Sequence, residues 1–129
     1  MRLLILSILC CSLFVAGCRK NGSGSNSLLG KWTLVATANI GSDWREVSEA
    51  EKQSFEFRSD STYTFNPPLI SSLSVCNGTF RTNAELMTLS WTCQQPAYEY
   101  LMMYSVNGNT LTLDYVATSS GFKAKYVRN

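Results

Sequence analysis

The 129-residue chain contains no histidine. This excludes catalytic triads in which an imidazole carries the proton. Imidazole metal ligands are excluded with them. Its 5 cysteines offer no replacement, because they form neither a Cys-x-x-Cys pair nor a cluster able to hold zinc. No glycine-rich stretch could cradle a phosphate. General acid–base work needs paired carboxylates, but Glu85, Glu99 and Asp114 are scattered over positions that read as solvent-facing. Glu46, Glu49 and Glu51 do cluster, in a segment that reads as a loop. Excess charge of one sign is also missing. The 11 basic and 9 acidic residues give a net +2, which favours neither a nucleic-acid face nor an acidic tail. Taken together, these absences predict a protein that is not an enzyme, carries no cofactor or metal, and does not bind nucleic acid.

What is present begins at the N-terminus. Arg2 is followed by the apolar run Leu3 to Ala16, which closes on Val15-Ala16-Gly17-Cys18. The run is shorter than the roughly 20 apolar residues that a membrane span needs. A basic start, a short apolar stretch and small residues at its end mark a cleavable signal. With a cysteine in the fourth position, this segment resembles a bacterial lipobox. The resemblance implies a signal peptide over residues 1–17 and a mature N-terminus at Cys18, acylated there with chains such as palmitate. The chain would then sit on a membrane surface outside the cytoplasm. An ordinary secretory signal, or an anchor helix with a chance cysteine, are the alternatives. Cleavage would remove Arg2, Cys10 and Cys11, leaving a balance of about +1.

Residues 19–27, Arg-Lys-Asn-Gly-Ser-Gly-Ser-Asn-Ser, include no apolar side chain. Gly/Ser-rich sequence behaves as a flexible coil, so residues 18–27 read as a lipidated tether with a reach of roughly 15–18 Å. Arg19 and Lys20 would lie beside anionic head groups. The lipobox resemblance places such a protein at the outer membrane. Arg19, rather than an aspartate, follows Cys18, and no acidic run suggests surface export. The periplasmic leaflet is therefore favoured over the cell surface.

From Leu28 onward the hydrophobic pattern has period two. Lys31 to Thr37, Ser54 to Arg58 and Thr62 to Phe65 alternate apolar with polar residues, as strands with one buried face do. Val75 to Thr82, Leu86 to Cys93, Glu99 to Val106, Thr110 to Val116 and Phe122 to Val127 complete a set of eight. Short turns join them, with Asn107-Gly108 suited to a type I′ hairpin and Ser119-Ser120-Gly121 forming another. Eight closely spaced strands predict an all-β antiparallel barrel or sandwich. Pro67-Pro68 ends the third strand, and Leu69 to Ser74 reads as a loop anchored by its apolar residues. Ala38 to Gln53 is long and irregular. Its Ser48-Glu49-Ala50-Glu51 has capping-box spacing and could hold a helical turn. This connection either covers one barrel end or lies on the surface.

Leu29-Gly30-Lys31-Trp32, at the head of the first strand, resembles the Gly-x-Trp start of lipocalins and of lipocalin-like bacterial lipoproteins. Tyr104 to Leu113 resembles the hairpin that precedes the last strand of such domains, and Phe122 to Val127 supplies that strand. The likeness spans residues 28–129, although the long C-terminal helix of animal lipocalins is missing. It implies an eight-stranded up-and-down barrel and a monomer that binds a small hydrophobic or amphipathic molecule.

Cys76 and Cys93 are the two cysteines left beyond Cys18. An exported compartment permits disulfides, and a hairpin turning between Ala84 and Glu85 sets these two opposite each other. Such a crosslink contributes about 3 kcal/mol.

Aromatic residues fall mostly on one alternating face. The candidate core or ligand-binding set is Trp32, Phe55, Phe57, Tyr63, Phe65, Phe80, Tyr100, Met102, Tyr104, Tyr115, Phe122 and Tyr126. An eight-stranded barrel is just wide enough to be filled by side chains or to hold one small ligand. Two readings follow, a packed core and an aromatic-walled pocket with phenols as polar handles. Both faces of Tyr98 to Ser105 are partly apolar, so Met102 or Met103, whichever points outward, could mark a protein-interaction patch. Two short motifs stand apart. Asn77-Gly78-Thr79 fits the N-glycosylation pattern, and Asp60-Ser61-Thr62 resembles a short bacterial O-glycosylation acceptor. The sequence thus predicts a lipid-anchored envelope lipoprotein with a ligand-binding barrel. The alternative is an interaction module, an inhibitor or accessory subunit, with a packed core.

Overall fold

The computed structural model describes residues 27–93, 97–115 and 121–129. The lipobox with Cys18, the tether as far as Asn26, and Ser119-Ser120 lie outside the described residues. The strands are β1 (Gly30–Asn39), β2 (Arg45–Glu46), β3 (Ser54–Phe57), β4 (Thr62–Asn66) and β5 (Cys76–Asn83), followed by β6 (Leu86–Trp91), β7 (Tyr98–Asn107), β8 (Thr110–Tyr115) and β9 (Phe122–Arg128). Apart from β2, each strand pairs antiparallel with the next in chain order, and β9 returns to β1 from Trp32↔Arg128 to Asn39↔Phe122. The result is the closed eight-stranded up-and-down barrel expected from the sequence, plus one short extra strand.

Alternation explains the barrel wall. Trp32, Leu34, Ala36 and Ala38 of β1 point inward and are buried, while Lys31, Thr33, Val35 and Thr37 lie between them. A bulge at Val35 separates the pairs Leu34↔Tyr126 and Ala36↔Lys125. Such an irregularity bends its strand. On its other edge β1 pairs with β3 at residues 30–33 and with β2 at Ala36 and Thr37.

Strand direction reverses at each turn, so the connections fall at two ends. One end, the closed end, holds the β3–β4, β5–β6 and β7–β8 hairpins together with Ser27, Leu28 and the C-terminus. The open end holds the β1–β3, β4–β5, β6–β7 and β8–β9 connections.

The closed end is plugged. The indole N–H of Trp32 donates to the Leu28 carbonyl at 2.7 Å, and the Arg128 guanidinium lies over the Trp32 ring. Arg128 also donates to the carbonyls of Leu29 and Ser27 at 2.7 and 2.6 Å. Gly30 adopts φ 122°, a conformation that side chains rarely take, and a Cβ there would lie 3.1 Å from the Arg128 guanidinium. The glycine and tryptophan of the Gly-x-Trp start therefore serve one purpose, fitting the arginine plug.

Three local expectations are refined. The first long connection does contain a short 3-10 helix, Glu49–Glu51, in which the Glu51 carboxylate accepts from the Ser48 N–H at 2.9 Å. The β7–β8 turn consists of Gly108-Asn109, because Asn107 pairs with Thr110. It lies one residue later than the Asn-Gly pair suggests. Glycine leads at φ 58°, as in type II′ turns. The apolar residues of the β4–β5 loop do not anchor it, since Leu69 and Ile70 are 87% and 69% exposed. Hydrogen bonds hold this loop instead, from the Ile70 N–H to the Ala50 carbonyl and from the Ser71 N–H to the Pro68 carbonyl.

Candidate functional site

The twelve residues singled out as core or ligand-binding do not form one pocket. Trp32, Phe55, Phe57, Tyr63, Phe65, Met102 and Tyr126 are buried and fill the barrel interior, while Phe80, Tyr104, Tyr115 and Phe122 pack around them half-buried. Stacked, tilted and edge contacts link the rings, with Phe55 stacked on Phe57 and meeting Tyr63, Phe65 and Tyr126 at steeper angles, all at centroid distances of 5.0–5.9 Å. Each such side chain contributes about 1.5–3 kcal/mol by burial. Across this part of the barrel, side chains fill the interior.

Tyr100 behaves differently. It shares the inward face of β7 with Met102 but is 46% exposed, as Tyr98 is at 48%. Both project past the filled core at the open end. There they border a cleft of about 360 Å³, at the small end of the range for ligand pockets. Phe65 and Trp91 form its inner wall, the Cys76–Cys93 pair one side, and Ser72, Leu73 and Ser74 of the β4–β5 loop its rim. None of these nine residues carries a formal charge at neutral pH. The β1–β3 connection contributes nothing to the lining; it runs back along the free edge of β1, where β2 pairs.

Cross-strand register builds this wall. Asn83↔Leu86 closes the β5–β6 hairpin around Ala84 and Glu85, and the ladder runs to Gly78↔Trp91. Two positions further on, Cys76 and Cys93 are joined by a disulfide with a Cα–Cα distance of 5.6 Å, as the sequence register predicts. Cys76 is buried and Cys93 exposed. Gly78 is needed opposite Trp91, since a Cβ there would collide with the Ser90 carbonyl oxygen and come within 2.7 Å of the Tyr63 ring. The missing side chain lets Tyr63 lie across the sheet with its hydroxyl near the Ser90 carbonyl at 3.4 Å.

Trp91 is held edge-on by three rings: Phe65 at 5.0 Å, Tyr100 at 5.9 Å and Tyr63 at 6.0 Å. Its indole nitrogen is closed to solvent and has no hydrogen-bond partner among the described residues. A shielded donor without an acceptor is unfavourable by about 1–3 kcal/mol. Trp91, Tyr98 and Leu73 were not among the residues expected to form a site. For Trp91 a signal existed, because it keeps step with Met87 and Leu89 on the inward face of β6.

A second polar group lies inside the barrel. Gln53 donates to the Tyr126 hydroxyl at 2.8 Å, and Tyr126 and Tyr115 hydrogen-bond to each other. Burial raises the pKa of both phenols above the ordinary value, Tyr126 most strongly, and burial also raises that of Tyr63. All three are neutral across the physiological range.

The remaining motifs are surface features. Asp60, at the β3–β4 hairpin tip, accepts from the Thr62 N–H and hydroxyl at 3.0 and 2.6 Å, which lowers its pKa. The Asn77 side-chain oxygen accepts from the Thr64 hydroxyl at 2.7 Å. Among the described residues, no three of the Cys, Asp and Glu side chains converge on a possible metal position.

No protein-family model matches the sequence, and no curated protein or solved structure matches it significantly.

Proposed function

We propose that this protein is a lipid-anchored lipoprotein of the cell envelope whose barrel binds a small hydrophobic or amphipathic molecule at its open end. The cleft beside Trp91, Tyr98 and Tyr100 carries this reading. It is concave and aromatic-walled, and it lies where a filled barrel gives way to exposed rings. Ligand sites combine apolar walls with a few polar groups that fix orientation, and here the phenols of Tyr98 and Tyr100 fill that role. The disulfide fits an oxidising compartment. The lipobox-like segment ending at Cys18 supplies the anchor, at the outer membrane and facing the periplasm.

Two measurements test the parts separately. Intact mass of detergent-extracted protein should show acyl chains at Cys18, and a Cys18→Ser variant should lose them and leave the membrane fraction. Native mass spectrometry, or solvent extraction of the purified chain, should release a stoichiometric small molecule that a Tyr100→Ala, Leu73→Ser double variant fails to retain. Protein that is unacylated and copurifies with no small molecule would remove both parts.

A second reading has its own observation. Leu86 pairs with Met103 on the outer wall of β6–β7, Leu101 adjoins them, and all three are exposed. An outward apolar group of this kind suits a protein contact, as an inhibitor or accessory subunit would make. Crosslinking from these positions in cells decides for it only if one partner is recovered in stoichiometric amount.

A further inference from the structure

We infer that the open end of the barrel docks on a lipid bilayer, with Leu69 and Ile70 of the β4–β5 loop entering the interfacial layer. The inference goes beyond the binding of a small molecule. From the anchor proposed above it takes only proximity to lipid. Drawn out, the tether would span up to about 30 Å, so the barrel can tip its open end onto the bilayer that holds it.

Three observations converge. The first is exposure. Leu69 and Ile70 form the projecting corner of the loop, and Leu73 and Val75 behind them are exposed as well. Across the cleft, Tyr98 and Tyr100 leave about half of their surfaces uncovered. Rings with an apolar body and a polar tip suit the head-group level of a bilayer, beneath which aliphatic groups enter. Protein interfaces need matched shapes, and a corner of two aliphatic side chains offers a second copy no face to match. A fluid bilayer requires none.

The second is charge. Residues 67–75, 92–97 and 116–121 link β4–β5, β6–β7 and β8–β9, and none of them is charged. The β1–β3 connection does carry charges, but those flanking the loop's contact at Ala50 are paired, Glu49 with Lys52 and Glu51 with Arg45. The closed end differs, with Arg58 and Asp60 at one hairpin, Glu85 at another and Arg128 at the base. Charged side chains resist entry into the apolar layer, so the bare pole is the one that can touch it.

The third is the backbone. Pro67 and Pro68 have no N–H to satisfy. The Ile70 N–H donates to the Ala50 carbonyl, the Ser71 N–H to the Pro68 carbonyl and the Leu73 N–H to the Ser71 hydroxyl. Where water is scarce an unmade backbone bond is costly, and this corner enters with those donors already satisfied.

A tryptophan at the corner reads the contact. The full-length chain is mixed into vesicles of phosphatidylcholine brominated along its acyl chains, where bromine quenches indole emission on contact. Leu69→Trp is compared with Leu101→Trp on the outer wall, and the unmodified chain with its 3 tryptophans sets the baseline. Bromine should quench the emission added at residue 69 at least about threefold more than that added at residue 101, since only the first reaches acyl chains. Ile70→Asp in the Leu69→Trp chain should remove the difference, with the melting temperature unchanged because residue 70 is exposed. Raising salt to about 0.5 M should leave the quenching as it is, because no charge makes the contact. Equal quenching at the two positions, or its loss in salt, overturns the inference. Intact mass of the same sample reports acylation separately. An acylated chain whose corner is not quenched overturns the inference and leaves the anchor standing. An unacylated chain that is quenched supports the inference alone, and one that stays off the vesicles removes both.

Discussion

The Arg128 guanidinium sits 4.3 Å from the centre of the Trp32 ring, joining the last strand to the first at the closed end of the barrel. The same side chain reaches the carbonyls of Ser27 and Leu29, so one residue stacks, donates and closes the base. Arg128→Ala is expected to cost about 2–3 kcal/mol, from the lost cation–π contact and the hydrogen bonds. Arg128→Lys should recover only part of this, because an ammonium cannot lie flat on the indole and reach both carbonyls. Urea unfolding of the two variants measures the difference; equal stability of Lys and Ala would show that the fork geometry is irrelevant.

Gly78 faces Trp91 across the β5–β6 ladder, and its missing side chain is occupied by Tyr63 and the Ser90 carbonyl. Gly78→Ala should therefore destabilise by about 3 kcal/mol, since rigid backbone lies in the way. At Gly41 nothing lies within 4 Å of an added Cβ, although φ is +79°. Gly41→Ala should cost only about 1 kcal/mol, the strain of that conformation alone. Paired thermal melts rank the two, and a larger loss at Gly41 would contradict the packing around Tyr63.

The buried phenols set an alkaline limit. Tyr115 and Tyr126 have pKa values raised by burial, so above the ordinary phenol value of about 10 the unfolded chain loses protons that the folded chain keeps. Stability from this source is complete below that pH and declines as pH rises, by at most about 1.4 kcal/mol per pH unit for each group. Tyr126→Phe should make the decline shallower. Denaturant titrations between pH 8 and 11.5 give the slope, and an unchanged slope in Y126F would exclude Tyr126 as a contributor.

Reduction should weaken the barrel without dissolving it. The Cys76–Cys93 link closes a loop with a sequence separation of 17 and contributes about 3 kcal/mol, but the six residue pairs of β5–β6 persist without it. Cys93 is exposed and Cys76 buried, so brief alkylation of the reduced, folded protein should mark Cys93 first. Peptide mass spectrometry reads the order. Equal labelling of the two would mean that the open end unravels on reduction.

The strands were legible because one face of each is buried, and burial with period two leaves a pattern in the residues themselves. The disulfide was legible for a related reason, since a turn at Ala84-Glu85 fixes which residues stand opposite. The β7–β8 turn shows where this stops. Moving it from Asn107-Gly108 to Gly108-Asn109 slides the ladder by two positions, which leaves every side chain on the same face, so hydrophobic alternation could not choose between them. The strand β2, of two exposed residues, has no pattern to read.

The candidate site was half legible for a different physical reason. Alternation shows that Phe65, Trp91 and Tyr100 point inward, but whether inward means packed depends on how far along the barrel axis the filling extends. Tyr63 and Phe65 are two residues apart on β4, yet only Phe65 reaches the cleft. The rim formed by residues 72–74 belongs to a loop without periodicity, held by backbone hydrogen bonds rather than by its leucines.

Ser27 and Leu28 enter the fold beneath the arginine plug, whereas the cleft opens among the turns at the opposite pole. On the proposal of a lipid anchor, the leash would join the molecule at its foot, with the mouth at the other pole. A flexible coil with a reach of roughly 15–18 Å would hold the foot near the surface without fixing which way the mouth turns.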